Sequence, residues 1–333
     1  MKNRISALDG LRGLAALSVV IYHYTFRYNE LYSHDYINEL LFSWGHYGVD
    51  LFFIISGFVI FYSASKGGNL KKFIEARFFR LYPTYWVSML LTFITVSLYQ
   101  LQGRVVDIKT AFLNLIMFQN YLGIKSVDGV YWTLAIELNF YFWIGLAVYF
   151  KKLKNFVYIS SLICLLSVFT HNSQFIFAKV FNVLLFTYYL PYFVFGMSIF
   201  LLKMNNDLRQ GWFGIFSTIT CILLARNSID DVFASIICFS LFIVVIKYDF
   251  NIFSKGFLKF FGVISYPLYL LHQNIGYVII QYSVTKGISE WWAILIAFLS
   301  SVILAWGIHE LISNKLTLSM KNMYSKSVYP NAG

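Results

Sequence analysis

The stretch "LDGLRGLAALSVVIYHY" at residues 8–24 indicates the fold class of this protein. It is about as long and as apolar as a helix that crosses a bilayer, which takes roughly 20 residues. It nevertheless carries Arg12 near one end and His23 near the other. Ionisable side chains are costly inside a membrane, and they usually face the interior of the protein. The stretch therefore predicts a membrane-spanning helix with one polar face.

The composition extends this prediction to the whole chain. Of the 333 residues, 59% are hydrophobic and 12% are charged, and the mean hydropathy is +0.66. Because soluble domains carry about a quarter charged residues, we expect an all-α polytopic membrane protein whose surface contacts lipid. The net charge of +11 does not indicate a nucleic-acid partner, since the basic residues cluster in short loops between apolar runs. The three cysteines show no paired spacing, and we predict no metal site.

Ten apolar segments are candidates for membrane spans, and counts of nine or eleven stay open because three of the ten are short. The candidates cover residues 7–27, 44–64, 83–102, 131–150, 155–170, 181–202, 211–226, 231–247, 257–281 and 290–313. The segment 107–122 is too polar to span, so we expect a helix in an outer loop or at the membrane surface there.

The basic residues set the expected orientation. With the N-terminus inside, 18 of the 26 Lys and Arg residues lie in cytoplasmic segments and seven lie outside, while Arg12 lies in the first span. Because Lys and Arg concentrate in cytoplasmic loops, we predict that both termini are cytoplasmic. We assign residues 1–313 to an integral-membrane domain and residues 314–333 to a short cytoplasmic tail.

Arg12 and His23 are eleven positions apart. At about 100° and 1.5 Å per residue, this separation puts both side chains on one helical face, about 16 Å apart along the axis. Such a pair is typical of a functional site in a membrane helix. A simpler interpretation stays open, in which Arg12 pairs with Asp9 one turn earlier and His23 makes a hydrogen bond to another helix.

Three further spans each carry ionisable residues, namely Asp50, Glu137 and His272. Counted by the rise per residue, these three and His23 fall in the outer half of the bilayer. Each of them singly could be a hydrogen bond between helices. Four such groups at one depth predict a polar cavity that crosses the membrane.

Arg77 and Arg80 lie at the entrance of the third span, shortly before Pro83. They are i,i+3 neighbours on one helical face, and guanidinium groups bind phosphate through two parallel hydrogen bonds. The pair is therefore a candidate anion site. The alternative is a topology signal, which accounts well for the neighbouring Lys71 and Lys72.

Taken together, these segments resemble the integral-membrane acyltransferase family 3, which O-acylates cell-surface polysaccharides and related glycans. The family carries a basic residue, ten intervening residues and a histidine in its first span, as in Arg12 and His23. It carries an R-x-x-R before its third span, as in "RFFR" at residues 77–80. "GVDLFFIISGFVI" (48–60), "WTLAIELNFYF" (132–142) and "YPLYLLH" (266–272) resemble its other motifs. The matches follow the family's order from residue 7 to residue 272.

The resemblance implies an acyl-CoA donor, most commonly acetyl-CoA, on the cytoplasmic side of a bacterial plasma membrane. The acceptor would be a hydroxyl of a surface polysaccharide or lipid-linked glycan, such as a lipopolysaccharide O-antigen or a capsule. By the same resemblance, Arg12, Arg77 and Arg80 would hold the donor at the inner end. His23 would act on the acceptor at the outer end.

Acyl transfer to a hydroxyl needs a base for the attacking oxygen and a group that stabilises the oxyanion. His23 is the best candidate for the base, because a neutral imidazole accepts a proton near neutral pH. Glu137 or Asp50 could fix its tautomer, as a carboxylate does in hydrolase triads. His272, Tyr131 or Tyr269 could donate to the oxyanion. Direct transfer and an acyl-His23 intermediate both stay open.

Two alternatives of other kinds stay open. A glycan-lipid transporter or flippase could also use intramembrane Arg, His and Glu, and it predicts inverted repeats with broken helices. The four prolines do not show that symmetry. The second alternative is the separate enzyme type called membrane-bound O-acyltransferases, whose catalytic histidine lies late in the chain. His272 is the candidate for that histidine.

Overall fold

The computed structural model describes residues 7–34, 42–67, 69–205, 207–248 and 251–315. Within these ranges all regular elements are helical and none is a strand, so the predicted all-α class is confirmed. The α-helices are α1 (Ala7–Tyr22), α2 (Tyr28–Tyr32), α3 (Gly48–Ser65), α4 (Leu70–Tyr99), α5 (Ile108–Leu113), α6 (Trp132–Tyr149), α7 (Phe156–Thr170), α8 (Ile176–Leu184), α9 (Leu190–Phe200), α10 (Leu208–Ala225), α11 (Ile229–Tyr248), α12 (Asn251–Ser254), α13 (Gly256–Thr285) and α14 (Glu290–Ile308). The predicted tail lies outside the described residues from position 316 onward.

Shorter helical turns join these helices. Three π-helical segments follow α1, α9 and α14, at His23–Arg27, Leu201–Asn205 and His309–Asn314. The 3-10 turns are Ser43–Tyr47, Asn114–Ile116, Gln119–Leu122, Gly129–Tyr131 and Leu153–Asn155. The segment 107–122 is therefore helical as expected, and it starts with a cap in which Asp107 accepts from the Thr110 N–H at 2.8 Å.

Six helices among the described residues are long and apolar enough to cross a membrane. They are Ser43–Ser65, Leu70–Tyr99, Leu153–Thr170, Leu208–Ala225, Ile229–Tyr248 and Glu290–Ile312. Each of the ten predicted spans contains a helix, which follows from the need to satisfy every backbone polar group in lipid. The structure thus supports a multi-pass membrane protein, while the count of ten and the orientation of the termini stay predictions.

Two element boundaries differ from the predicted spans. Helix α4 starts at Leu70, well before the predicted start at 83, because the Asn69 side chain accepts from the Lys72 N–H at 2.9 Å and caps the helix. The predicted span 181–202 is divided, since α8 ends at Leu184 and α9 starts at Leu190. Phe186 has a positive φ of 40° in the turn between them, and Pro191 occupies the first turn of α9.

The chain forms two compact units, each of which combines distant segments. Unit 1 consists of Met1–Val19, Trp44–Phe73 and Thr133–Gly262. Its helices α3 and α9 pack closely because glycines face the partner backbone at two points. A β-carbon at Gly57 would overlap the Phe193 backbone, and one at Gly196 would overlap the Ile54 backbone. Small residues at such crossings are typical of membrane helices.

Unit 2 consists of Val20–Ser43, Ile74–Trp132 and Val263–Gly333. Its interior is polar for a membrane protein, since His272, Gln273 and Asn274 of α13 are all buried. Fully buried tyrosines surround them, and their hydroxyls bind backbone carbonyl oxygens. Buried polar groups need such partners, so unit 2 holds its polar residues in a fixed arrangement.

Candidate functional site

Unit 2 brings together two of the predicted site residues, His23 and His272. The distance between His272 Nε2 and His23 Nδ1 is 3.1 Å, and the ring planes lie at 70° to each other. His23 is the first residue of the π-helical segment after α1, and π-helical segments are frequent at functional sites. His272 is 0% exposed. A buried histidine therefore supports the ring of the histidine in the first span.

The surroundings of His272 determine which ring nitrogen carries its hydrogen. Its Nδ1 faces the carbonyl oxygens of Leu268 at 3.1 Å and Tyr269 at 2.9 Å. Because carbonyl oxygens only accept, the hydrogen of a neutral His272 is assigned to Nδ1, and Nε2 carries the lone pair. The hydrogen between the two rings then belongs to His23 Nδ1. A neutral His23 consequently carries its own lone pair on Nε2, as a general base requires.

Tyr24, the neighbour of His23, holds the backbone of His272. Its hydroxyl donates to the His272 carbonyl oxygen at 2.8 Å and lies 2.8 Å from the Ser301 hydroxyl. A β-carbon at Gly276 would overlap the Tyr24 ring, so glycine is needed there for the two helices to approach. Sequence reasoning missed Tyr24, although its position next to His23 is the signal that could have identified it.

Asp128 is a second residue that sequence reasoning missed. It is 0% exposed, and its carboxylate accepts from the backbone N–H groups of Val130 at 3.2 Å and Asn274 at 3.0 Å. Burial raises the pKa of Asp128 to about 6, although these two hydrogen bonds and the charge of Arg104 oppose the shift. Its place just before the "WTLAIE" segment was an available signal, but an Asp before a helix usually serves only as a cap.

Arg77 and Arg80, also in unit 2, lie one turn apart within α4. Arg77 is half-buried and Arg80 is exposed. The predicted i,i+3 spacing on one helix is therefore present, and both side chains belong to a continuous helix rather than to a loop. Whether they hold an anion stays a prediction.

The remaining predicted residues belong to unit 1. Arg12 Nη1 lies 4.0 Å from Asp9 Oδ1, which is the intrahelical pairing considered above. Glu137 is half-buried and accepts from the Tyr141 hydroxyl and, at 3.3 Å, from the Ser56 hydroxyl.

Asp50 is buried in unit 1 beside the hydroxyl of Tyr192 and near Arg226. Arg226 lies over the ring of Tyr188 at 3.5 Å from its centre and donates to the Tyr188 carbonyl oxygen. The roles predicted for Asp50 and Glu137 toward His23 stay predictions. In unit 2, the observed partner of His23 Nδ1 is His272.

Comparison with known proteins agrees with these features. Residues 5–310 match a family described as an acyltransferase domain. The chain is 27% identical over 287 residues to "Putative acetyltransferase ORF330" of Acidianus two-tailed virus, covering 81% of this chain and 83% of that protein. It is 30% identical over 175 residues to peptidoglycan O-acetyltransferase OatA of Listeria monocytogenes serovar 1/2a, covering 45% of this chain and 25% of that protein. No solved structure matches the chain. Because the family match extends over nearly the whole chain, the protein belongs to acyltransferase family 3.

Proposed function

We propose that this protein is an O-acetyltransferase that moves an acetyl group from cytoplasmic acetyl-CoA to a hydroxyl of a surface or lipid-linked glycan. The observation that carries the proposal is the His23–His272 pair, whose assigned tautomers leave the lone pair of His23 on Nε2. Family membership favours an enzyme over the transporter alternative. The name of the Listeria relative, a peptidoglycan O-acetyltransferase, supports a glycan acceptor.

In the proposed reaction, His23 Nε2 takes the proton of the acceptor hydroxyl, and the oxygen of that hydroxyl attacks the carbonyl carbon of the thioester. The new C–O bond forms, the C–S bond breaks, and the leaving CoA sulfur takes the proton back from His23. No net proton is consumed. His23 is positively charged between the two transfers, and Nε2 of His272 stabilises that charge by accepting from His23 Nδ1–H. His272 thus plays the part that a carboxylate plays in hydrolase triads.

Arg12, Arg77 and Arg80 are the residues that we propose for the donor. A CoA donor carries several phosphate oxygens, which guanidinium groups bind through charge-assisted hydrogen bonds. The one-turn spacing of Arg77 and Arg80 on α4 suits two such groups on one anion. We further propose Glu137 and Asp50 as supporting carboxylates.

The finer membrane arrangement is part of the same proposal. We propose about ten spans around a polar path, with both termini on the cytoplasmic side of a bacterial plasma membrane. This arrangement would deliver the donor to the basic side, where 18 of the 26 Lys and Arg residues lie by sequence. The acceptor would meet His23 nearer the outer side.

The test is acetyl transfer by purified protein in lipid nanodiscs. Acetyl-CoA labelled in the acetyl group is supplied with soluble peptidoglycan fragments or with O-antigen oligosaccharide, and label in the glycan is measured alongside released CoA thiol. We expect labelled glycan in equal amount to released thiol, and alkali should remove the label as it does an ester. If CoA thiol is released but none of the supplied glycans becomes labelled, the proposal is contradicted. The acetyl content of surface glycans in cells with and without the protein gives an independent measurement.

A further inference from the structure

The segment 127–131 of unit 2 lies against the turn of α13 that carries His272. Four hydrogen bonds join the two. They are Asn274 N–H to Asp128 Oδ2 at 3.0 Å, Asn274 Nδ2 to the Val127 oxygen at 2.9 Å, the Tyr269 hydroxyl to the Val130 oxygen at 3.2 Å and the Tyr131 hydroxyl to the Leu270 oxygen at 3.3 Å. The Gln273 side chain packs against Gly129 in the same region. Residues on both sides of His272 are therefore fixed from outside the helix.

Two of these bonds engage backbone groups that a regular α-helix would join to each other. The N–H of residue i bonds to the carbonyl oxygen of residue i−4, so Asn274 and Leu270 are natural partners. Here Asn274 N–H has Asp128 as a partner, and the Leu270 oxygen has the Tyr131 hydroxyl. In addition, Pro267 lies within α13 and lacks an N–H, which weakens the preceding turn. The turn that Pro267 weakens is the one at 263–267, whereas at the turn of His272 the external bonds add to those of the continuous helix α13.

Asp128 connects both elements through its two carboxylate oxygens. Oδ1 caps the N–H of Val130 at the start of the 3-10 turn before α6, and Oδ2 reaches Asn274. A buried carboxylate is costly unless it is well hydrogen-bonded. With its pKa raised to about 6 by burial, Asp128 is largely ionised at neutral pH. Hydrogen bonds to a charged acceptor are stronger than those between neutral groups, so the two N–H partners offset part of the cost of burying the ionised carboxylate.

We propose that Asp128, together with Asn274, is a positioning residue that fixes the turn of α13 and thereby sets the hydrogen bond between His272 and His23. This inference rests on the proposed function. It adds Asp128 and Asn274, whose hydrogen bonds described above go to each other and to backbone groups rather than to a histidine ring. Fixing the turn holds the carbonyl oxygens of Leu268 and Tyr269 against His272 Nδ1, and these oxygens determine its tautomer. Without the hydrogen bonds of Asp128 and Asn274, the His272 ring would lose its defined direction.

The first variant is Asp128→Asn, with Asp107→Asn as its matched control. An amide keeps only one acceptor oxygen, so the substituted side chain can cap Val130 or reach Asn274 but cannot do both. Asp107 is also a capping aspartate of unit 2, but its side chain bonds to Thr110 and is exposed. We expect Asp128→Asn to lower kcat about 10–100-fold, by analogy with the groups that orient a metal-bound histidine in metalloenzymes. KM for acetyl-CoA and for the peptidoglycan fragments should change less than about twofold. Asp107→Asn should leave kcat and both KM values unchanged.

A spectroscopic measurement separates positioning from a merely structural role. In protein labelled with ¹⁵N-histidine, the His272 Nδ1–H and His23 Nε2 signals report the two tautomers. Asp128→Asn should shift or broaden both signals while the folded fraction stays the same. Asn274→Ala removes only the bond to the Val127 oxygen and should give the same changes at smaller size. If Asp128→Asn fails to fold, Asn274→Ala carries the test.

The outcomes distinguish this inference from the proposed function. In the first outcome, His23→Ala is inactive while Asp128→Asn and Asn274→Ala keep the wild-type kcat and histidine signals. Asp128 and Asn274 then have no positioning role, and the proposed function stands. If Asp128→Asn raises both KM values with unchanged kcat, Asp128 serves substrate binding and the inference is wrong. If His23→Ala keeps full activity, the role proposed for His23 as the general base fails, and with it the positioning role of Asp128, whatever the Asp128 variants show.

Discussion

Nε2 of His272 lies 3.1 Å from Nδ1 of His23, although 249 positions separate the two residues in the chain. The carbonyl oxygens around His272 fix its tautomer, and His272 in turn fixes that of His23. The histidine of the first span is thus supported by a second histidine, where hydrolase triads use a carboxylate. A neutral partner stabilises a histidine cation less than a carboxylate would, so accurate positioning of the ring becomes more important.

Replacement of His272 should separate positioning of His23 from substrate binding. His272→Ala removes the acceptor for His23 Nδ1–H, and we expect kcat to fall about 100-fold, within the range for general-base assistance. His272→Gln offers an amide oxygen at a similar position and should recover part of the loss. The measurement is kcat and KM for acetyl-CoA in nanodiscs, with the exposed His46→Ala as control. Equal activities of His272→Ala and the wild type would show that His23 does not depend on this partner.

Gly276 tests the contact between Tyr24 and the backbone of His272. In Gly276→Ala the new methyl group would overlap the Tyr24 ring, so the hydrogen bond from the Tyr24 hydroxyl to the His272 oxygen should be lost. We expect the free energy of unfolding to fall by about 1–3 kcal/mol and kcat to fall with it. Gly307→Ala, also in unit 2, meets no atom within 4 Å and should lower neither quantity. Because alanine is favoured over glycine in a helix, the free energy of unfolding of this control should stay the same or rise slightly. The measurements are thermal unfolding and acetyl transfer of the two variants. Equal stability and equal kcat of Gly276→Ala and Gly307→Ala would contradict the contact between Gly276 and the Tyr24 ring.

Arg77 and Arg80 test the donor site. Arg77→Lys and Arg80→Lys keep the positive charge and should insert in the same orientation. They lose the planar guanidinium group, so acetyl-CoA should bind more weakly by about 1–2 kcal/mol if one charge-assisted hydrogen bond is lost. The half-buried Arg77 should show the larger effect, and the binding should become more sensitive to salt. Lys71→Arg is the control that changes charge geometry elsewhere on α4. Unchanged affinity in both arginine variants would reduce the pair to a topology signal.

Asp128 should make stability depend on pH. Its folded pKa of about 6 lies above the ordinary value of 3.8, so the folded state binds the proton more tightly than the unfolded state. The contribution to stability is therefore fully present below about pH 4 and is lost as the pH rises through about 6. Two pH units correspond to about 3 kcal/mol at most. The difference between the wild-type and Asp128→Asn unfolding curves should show this fall between pH 4 and pH 7.

The contribution of Asp107 to stability should depend on pH in the opposite direction, which the same experiment can measure. Its hydrogen bonds from Thr110 lower the pKa of this exposed carboxyl. Its contribution is present above the unfolded pKa and is lost as the pH falls through the lower folded pKa. The free energies of unfolding of the wild type and Asp107→Asn should therefore differ least at low pH. A difference curve for Asp128→Asn that fell toward low pH would contradict the assignment of a raised pKa to Asp128.

Hydropathy was sufficient to predict that each of the ten apolar segments contains a helix, because lipid forces the backbone to satisfy its own hydrogen bonds. It did not predict where α4 starts, since the Asn69 cap depends on a single local hydrogen bond. The division between α8 and α9 was also missed. Its turn depends on a positive φ at Phe186, a residue type that gives no signal of that conformation.

The sequence predicts a similar depth for His23 and His272, which stays a prediction, but it does not predict their contact. Depth follows from the rise per residue along each span, whereas the face that each helix turns toward another depends on packing. Asp128 and Asn274 were missed for a related reason. They are 146 positions apart, and one of the two bonding groups is a backbone N–H inside a helix. A side chain that bonds to the middle of a helix leaves no pattern in the sequence.

Acetyl transfer by the His23→Ala variant tests most directly whether His23 is the general base. The variant and the wild type are compared at equal amounts of inserted protein in nanodiscs, with acetyl-CoA and soluble peptidoglycan fragments as substrates. A general base contributes about 10²–10⁴-fold, so we expect less than about a hundredth of the wild-type kcat, with acetyl-CoA affinity within about twofold. Activity above about a tenth of the wild type would contradict this role and would place the proton transfer on another residue.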